Sequence, residues 1–328
     1  MTTRRLFSKI TIFEALNGRD LILDLVHKVE LSKTWETLTD MGTIVLPGRL
    51  KRGDRTITVG SSGILKVGQK IKIELGYYPT LNTEFEGYIS EIEPKSPAII
   101  HVEDSMFLLK QNNITASYAS VNVRTLIPDL LSKAGITGIQ TNLIDANIGT
   151  LRVSNANIAE VLEELRKNYG LYSYFRGNVL TVGLAYPNTP TKREYGFQVN
   201  IILDNIDNQD ETDIKINLKG VSVQEDNTKI EYESGDKGGD QKTLYYYNIS
   251  FSELKKIIDN EVTKYRYTGY FGEFKTFGDP FADHGDVAVL QDLRFPERDG
   301  EYFIDKVNTS FGVGIGYKRD LKLGLKAG

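Results

Sequence analysis

The sequence predicts a mainly β protein in which two similar antiparallel β-barrel-like domains flank a small helix-and-hairpin domain, an α+β insertion. Three observations support this fold class. Apolar and polar residues alternate along both ends of the chain, as in half-buried strands. Helical periodicity is concentrated in the middle, and 18 Tyr and 14 Phe against 3 Met and 1 Trp favour pleated surfaces. A length of 328 residues is ample for two or three domains with cores of their own.

The first β-barrel domain is expected to cover residues 1–111. Residues 9–30 alternate with a period of two on either side of a glycine-containing break at 17–20, which predicts a hairpin. The alternation returns in later segments of this region, so the strands form an antiparallel set joined by short turns. We expect residues 195–213 to complete this domain.

The α+β insertion is expected to cover residues 112–194. Apolar residues from Val123 to Ala134 follow one face of a helix, in which Pro128 predicts a late start or a kink. A second helix is predicted between the capping pair of Asn157 with Glu160 and a terminal glycine. A hairpin then follows before a proline-rich exit loop.

The second β-barrel domain is expected to cover residues 214–328. Strand patterns run through 214–249, and Ser250 with Glu253 predicts the cap of one helix near 251–266. The segment after this helix has an aromatic residue at nearly every second position, which suits a strand with core and interface faces or a platform that stacks bases or sugars. We favour the strand, and its candidate interface aromatics are Tyr267, Tyr270, Phe271, Phe274 and Phe277.

A glycine-strand-glycine-strand unit occurs near residue 70 and again near residue 290. Each copy has a turn glycine before an alternating strand, and later an aromatic-isoleucine pair, a polar pair and a branched aliphatic residue. Glycine-turn hairpins can look alike by chance, but two matches in the same order favour one unit present twice. The motif positions are Gly68, Gly87, Tyr88, Gly285, Asp286, Gly300 and Tyr302.

Duplication would have a geometric consequence. Three copies of a subunit with two similar barrels can form a ring with six near-equivalent positions, which matches a threefold object to a sixfold one. The pattern therefore favours an adaptor between assemblies of different symmetry.

The segments 269–280, 284–287 and 296–304 resemble the C-terminal part of bacteriophage tail hub proteins, the baseplate hub and late-control-protein-D group. The chain is also similar in plan to the N-terminal part of type VI secretion spike proteins. The order of barrel, α+β insertion and barrel covers nearly the whole chain.

The resemblance implies a non-enzymatic homotrimer at the distal end of a tail tube, binding the tube protein on one face and a spike or tail-tip protein on the other. It implies a place in a virion tail or tail-like particle, a prophage tail or contractile injection system included, assembled in the bacterial cytoplasm. Because the chain carries no muramidase-like domain and no needle repeat, we expect any spike to be a separate polypeptide.

Other chemistry has little support in the sequence. The absence of cysteine excludes thiolate metal sites and a cysteine nucleophile, and we assign no catalytic, metal or cofactor residues. The acidic segments 279–286 and 204–213 fit a turn and a solvated connector better than metal sites, and the glycine-rich loop 235–239 lacks the Gly-Lys-Ser/Thr ending of a phosphate loop. No stretch approaches the length of a membrane span.

The sequence thus predicts a structural tail-hub subunit. The alternative is a glycan-binding or glycan-cleaving tail-associated module with aromatic platforms and a carboxylate pair. An oligonucleotide-binding barrel is disfavoured by the formal net charge of −4, which gives no specificity for nucleic acid.

Overall fold

The computed structural model describes most of the chain in six ranges: residues 5–16, 18–52, 55–58, 65–187, 189–296 and 299–327. The described helices are α1 (Met106–Leu109), α2 (Val123–Lys133), α3 (Ile158–Tyr169) and α4 (Phe251–Tyr265). The strands of the N-terminal third are β1 (Leu6–Leu16), β2 (Arg19–Leu23), β3 (Lys28–Thr34), β4 (Met41–Leu46), β5 (Arg49–Arg52), β6 (Arg55–Thr58), β7 (Lys70–Tyr77), β8 (Thr80–Glu93) and β9 (Ala98–Glu103).

The remaining strands alternate with the helices in the middle of the chain and follow one another at its end. The middle strands are β10 (Asn113–Tyr118), β11 (Gln140–Leu143), β12 (Leu151–Asn157), β13 (Tyr172–Arg176) and β14 (Val179–Gly183). The later strands are β15 (Lys192–Gly196), β16 (Ile201–Gln209), β17 (Ile216–Val223), β18 (Lys229–Gly235), β19 (Asp240–Tyr247), β20 (Gly269–Phe277), β21 (Val287–Gln291), β22 (Gly300–Gly312) and β23 (Gly316–Lys326).

One sheet of 13 strands contains both barrel-like halves. Its strands lie in the order β16-β20-β23-β22-β3-β4-β9-β8-β7-β1-β2, and β21 pairs with both β22 and β15. The N-terminal half encloses an apolar core that includes Ile10, Ile73 and Ile100, and the C-terminal half encloses a second core that includes Phe274 and Leu321. The predicted fold class is confirmed.

The long strand β22 joins the two halves. Along one edge, residues 300–303 pair with β21 of the C-terminal half, and residues 306–312 pair with β3 of the N-terminal half. Its other edge pairs with β23. The halves are therefore parts of one hydrogen-bonded sheet.

The α+β insertion has an apolar core built mainly from α2, α3 and the strands β10 to β14, and α1 and residues Val221 and Val223 of β17 also contribute to it. Asn157 and Glu160 form the predicted capping box, and Gly170 ends α3 with a φ of +62°. Helix α2 begins at Val123 and includes Pro128, so it does not start late. Within the described ranges, none of the helices combines the length and the apolar character that a membrane crossing needs.

Two expected boundaries differ from the structure. The segment 195–213 does not pair with the first barrel: β15 runs parallel to β21, and β16 runs antiparallel to β20, so both strands belong to the C-terminal half. Strands β17 to β19 form a separate sheet whose core is closed by α4, so the segment 216–265 interrupts the second barrel. Alternation marks a strand but does not specify its partner, and this explains both differences.

Candidate interaction surface

The first copy of the predicted repeat is built on Gly68. Gly68 has a φ of +87°, a backbone conformation that glycine adopts with little strain. The turn at this residue brings the chain against β8. The Gly68 N–H donates to the carbonyl oxygen of Ile89 at 2.8 Å, and the Ile89 N–H donates to the carbonyl oxygen of Gln69 at 2.9 Å. The turn and the strand are thus joined by a reciprocal pair of hydrogen bonds.

The second copy has the same geometry at Gly285, whose φ is +79°. The Gly285 N–H donates to the carbonyl oxygen of Ile304 at 2.7 Å, and the Ile304 N–H donates to the carbonyl oxygen of Asp286 at 2.8 Å. The two turn glycines and the two isoleucines therefore occupy corresponding positions.

The strand register aligns the rest of the two units. Ile71, three residues after the first turn glycine, faces Gly87, and Ala288, three residues after the second, faces Tyr302. Gly87 therefore corresponds to Tyr302 and not to Gly300. One position later, Tyr88 corresponds to Phe303.

Two further features recur around the aligned isoleucines. Directly after them, β8 has an extra residue, Ser90, against β9, and β22 has an extra residue, Asp305, against β23. Each such bulge bends its strand and increases the local twist. The aligned aromatics are also both stacked, Tyr88 on Phe107 and Phe303 on Tyr186.

The five candidate interface aromatics are divided between the two faces of β20 and the segment before it. Tyr270 and Phe274 are buried in the core of the C-terminal half, and Tyr267 packs against that core. Phe271 and Phe277 lie on the opposite face, where they are 44% and 46% exposed. Only these two are therefore available for contact with another molecule.

Strand β16 extends this exposed face to the end of the sheet. Ile202 and Leu203 are 41% and 52% exposed, Asp204 and Asp207 are also exposed, and Asp207 lies opposite Phe271. Large apolar side chains exposed beside an edge strand are typical of an interaction site. We name this region the β16 edge surface; its members are Ile202, Leu203, Asp207, Phe271 and Phe277. Asp204 lies opposite the buried Phe274, on the other face of the strand.

A buried ion pair joins the two halves of the sheet. The Arg319 guanidinium on β23 binds the Glu84 carboxylate on β8 through two hydrogen bonds of 2.6 and 2.8 Å, and both side chains have no exposed area. The Tyr317 hydroxyl donates to the same carboxylate at 2.5 Å. The alternation of β8 and β23 does not predict this pair. The one local signal is that Glu84 is a charged residue directly before Phe85 in an otherwise alternating strand.

The acidic loop before β21 is used within the fold. Asp283 accepts from the His284 N–H at 3.0 Å and lies 3.5 Å from the Lys33 ammonium, while Asp286 binds Arg193 at 3.0 Å. Burial is the largest influence and acts to raise the pKa of Asp283, but the nearby positive charges, Lys33 first among them, and the hydrogen bond from the His284 N–H together lower it. Among the described residues, no group of three or more His, Asp or Glu side chains is arranged to bind a metal ion.

His284 is completely buried beside this loop. Its ring meets the Tyr174 ring edge-on at 4.9 Å, and neither ring nitrogen has a hydrogen-bond partner among the described residues. Burial lowers the pKa of His284 to about 4. The imidazole is therefore neutral near pH 7 and serves as packing.

Comparisons with solved structures identify the fold. The tail protein from Neisseria meningitidis MC58 aligns with a TM-score of 0.63 at 13% identity, over 98% of this chain and 96% of that protein. The 43 kDa tail protein of prophage MuSo2 from Shewanella oneidensis aligns with a TM-score of 0.61 at 12% identity, over 98% of both chains. The chain has the phage tail-protein fold.

This tail-protein fold extends to secretion systems. The c3393 protein of E. coli, a component of the type VI secretion system with structural similarity to the T4 phage tail proteins gp27 and gp5, aligns with a TM-score of 0.58 at 12% identity, over 92% of this chain and 74% of that one. No family model matches the sequence, and none of the curated proteins matches it significantly.

Proposed function

We propose that the protein is a structural, non-enzymatic tail-hub subunit. Three copies form a ring in which six barrel-like units stand in near-equivalent positions, and the ring joins a tail tube to a spike or tail-tip protein. The protein works in a virion tail or a tail-like particle.

One observation carries this proposal: the repeated unit has the same hydrogen bonds in both halves. The turns at Gly68 and Gly285 bind the corresponding isoleucines in the same reciprocal way, and a bulge follows each isoleucine. Duplicated units in one chain allow a threefold ring to present six similar surfaces. The tail-protein fold of the chain agrees with such a role.

Mass in solution tests the proposal directly. Size-exclusion chromatography with light scattering should give three times the subunit mass of 36.9 kDa. Class averages from electron microscopy should show a ring with six lobes. A chain that stays monomeric at high concentration, and binds neither tube nor spike protein, would contradict the proposal. Peptidoglycan cleavage that is lost on replacing one carboxylate would support the glycan-directed alternative instead.

A further inference from the structure

The outer edge of β16 has no strand beside it among the described residues. β16 is the last strand of the large sheet and pairs only with β20, on its inner side. An unpaired strand edge presents a row of backbone N–H and C=O groups that can accept an added strand from another chain. The corresponding edge in the N-terminal half is paired, and its partner indicates which strand fits here.

The repeat extends beyond the two turns to four paired strands in each half. The order is β8-β9-β4-β3 in the N-terminal half and β22-β23-β20-β16 in the C-terminal half, and every neighbouring pair is antiparallel. The register, begun two positions after each aligned isoleucine, runs through Glu91, His101, Thr43 and Glu30 in the first set and through Lys306, Lys322, Glu273 and Asn205 in the second. β16 is therefore the counterpart of β3.

β3 uses the edge that is unpaired in β16. One edge of β3 pairs with β4, as β16 pairs with β20, and its other edge pairs with residues 306–312 of β22. That second contact is the joint between the two halves. The counterpart of β22 is β8, whose residues 91–93 pair with β9 on one edge and, within the described ranges, with no strand on the edge that faces β7. Both strands of a second joint are thus present and unpaired.

We propose that residues 91–93 of β8 in one copy pair with the outer edge of β16 in the next copy, in the antiparallel register that β22 has on β3. This register places Ile92 opposite Asn208 and Glu93 opposite Asp207. The proposal rests on the ring described above and specifies the contact that closes it. The two strands are different parts of the chain, so the contact is head-to-tail, the kind that generates a ring when the rotation closes.

Burial at the joint within the chain supports a second joint between copies. Val307 of β22 and Leu31 of β3 are only 1% and 3% exposed. Their counterparts are Ile92 and Ile206, which pack against the cores of their own halves but remain half-buried in the single chain. A strand added along each edge would cover both isoleucines, and removing apolar area from water stabilises association.

The two joints differ in length. β22 continues to Gly312 and pairs seven residues with β3, whereas β8 ends at Glu93 and offers only residues 91–93. Fewer backbone hydrogen bonds therefore hold neighbouring copies together than hold the two halves of one chain together. The copies should separate on dilution while each chain stays folded, so the strength of association can be measured.

Cross-linking of the full-length chain tests the register. The native chain has no cysteine, so Glu93→Cys with Asp207→Cys creates one possible pair per contact. Within one chain these positions lie on strands seven spacings apart in the sheet, so oxidation should join copies and give covalent dimers and trimers on a non-reducing gel. The matched control, Glu93→Cys with Leu203→Cys, places the second thiol on the same face of β16 four positions away and should not cross-link.

A charge change gives a second measurement, whose sign depends on this register. Like charges directly opposite each other destabilise a strand pair, and the cost in the wild type is limited because Glu93 already binds His101 at 2.8 Å and Lys95. Asp207→Lys should tighten association at least about threefold at low salt, and adding Glu93→Lys should remove the gain. If the acidic edge bound a basic partner instead, Asp207→Lys would weaken association. The control Glu164→Lys, at an exposed position of α3, should leave association unchanged.

The outcomes separate the contact from the ring. A trimeric wild type whose thiols at positions 93 and 207 cross-link no better than the control pair would overturn the contact and leave the ring intact. An Asp207→Lys variant that associates no more tightly than the wild type would do the same. A disulfide formed within one chain would overturn the contact between copies. A wild type that remains monomeric overturns both proposals.

Discussion

Replacing Glu84 with glutamine should lower the free energy of unfolding by about 3–5 kcal/mol, because the substitution leaves a buried guanidinium without its counter-charge. Neither Glu84 nor Arg319 has any exposed side-chain area, so water cannot compensate the loss. The perturbation is isosteric, and the change in stability therefore reports charge and not volume.

The contacts around the pair set the size of the effect. The Glu84 carboxylate accepts two hydrogen bonds from Arg319 and one from Tyr317, and hydrogen bonds to charged groups contribute about 1.5–3 kcal/mol each. Arg319 retains three neutral acceptors: the carbonyl oxygen of Gly278 at 3.1 Å, the hydroxyl of Thr309 at 2.9 Å and the hydroxyl of Tyr317 at 2.8 Å. These acceptors keep the loss within a few kcal/mol.

Urea unfolding followed by circular dichroism and by the fluorescence of the single tryptophan would measure the change. Trp35 is a suitable probe because its ring packs on Tyr172 of the insertion, and its indole N–H donates to Asp305 of the C-terminal half at 3.1 Å. The matched control is Asp320→Asn, which removes a partly exposed partner of Lys275 and should cost under about 1 kcal/mol.

The double variant Glu84→Gln with Arg319→Met tests whether the loss of stability comes from leaving one buried charge unpaired. If the cost of each single change comes from an unpaired buried group, the double change should cost clearly less than the two single changes together. Additive losses, or a Glu84→Gln effect no larger than that of the control, would refute the claim that this pair locks the two halves together.

Three other substitutions have definite expected outcomes. The contribution of His284 to stability should fall by up to about 3 kcal/mol between pH 6.5 and pH 4, because His284 takes up a proton near pH 6.5 in the unfolded state but only near pH 4 in the folded state. The difference in free energy of unfolding between wild type and His284→Phe, measured in urea, should change by this amount over that pH range. Burial raises the pKa of Asp104 to about 7, so its contribution to stability is lost as pH rises from about 4 to 7, and the same titration of Asp104→Asn should show a shallower loss. Gly87→Ala should cost about 3 kcal/mol in thermal or urea unfolding, because the new methyl carbon would lie 2.1 Å from the carbonyl oxygen of Glu103, whereas Gly183→Ala meets only an ordinary 3.5 Å contact and should be nearly neutral.

Helix caps and turns could be predicted from the sequence, because the residues that form them lie only a few positions apart. The capping boxes at Asn157 and Ser250 are present as predicted, because each depends only on the capping residue and on the glutamate three positions later. The glycine turns at 68 and 285 were visible for the same reason. The parity of the aromatic run also predicts that Phe271 and Phe274 point to opposite faces of the strand.

Long-range pairing was not predictable in the same way. Strand β16 begins with three consecutive apolar residues and continues with mostly polar ones, and nothing local indicates that it pairs with β20 instead of closing the first barrel. Glu84 and Arg319 lie 235 positions apart, and the pattern of neither strand indicates which distant residue is the partner. The contacts that join the two halves, and the free edge that results, depend on the complete topology.

The continuity of β22 has a mechanical consequence. If the two barrels are pulled apart along this strand, the load passes through its covalent backbone, and the hydrogen bonds of residues 306–312 to β3 are strained together instead of one after another. Such an arrangement resists separation better than side-chain contact alone. The two halves should therefore move as one rigid body. A displacement that a neighbouring protein imposes on one barrel is then transmitted fully to the other.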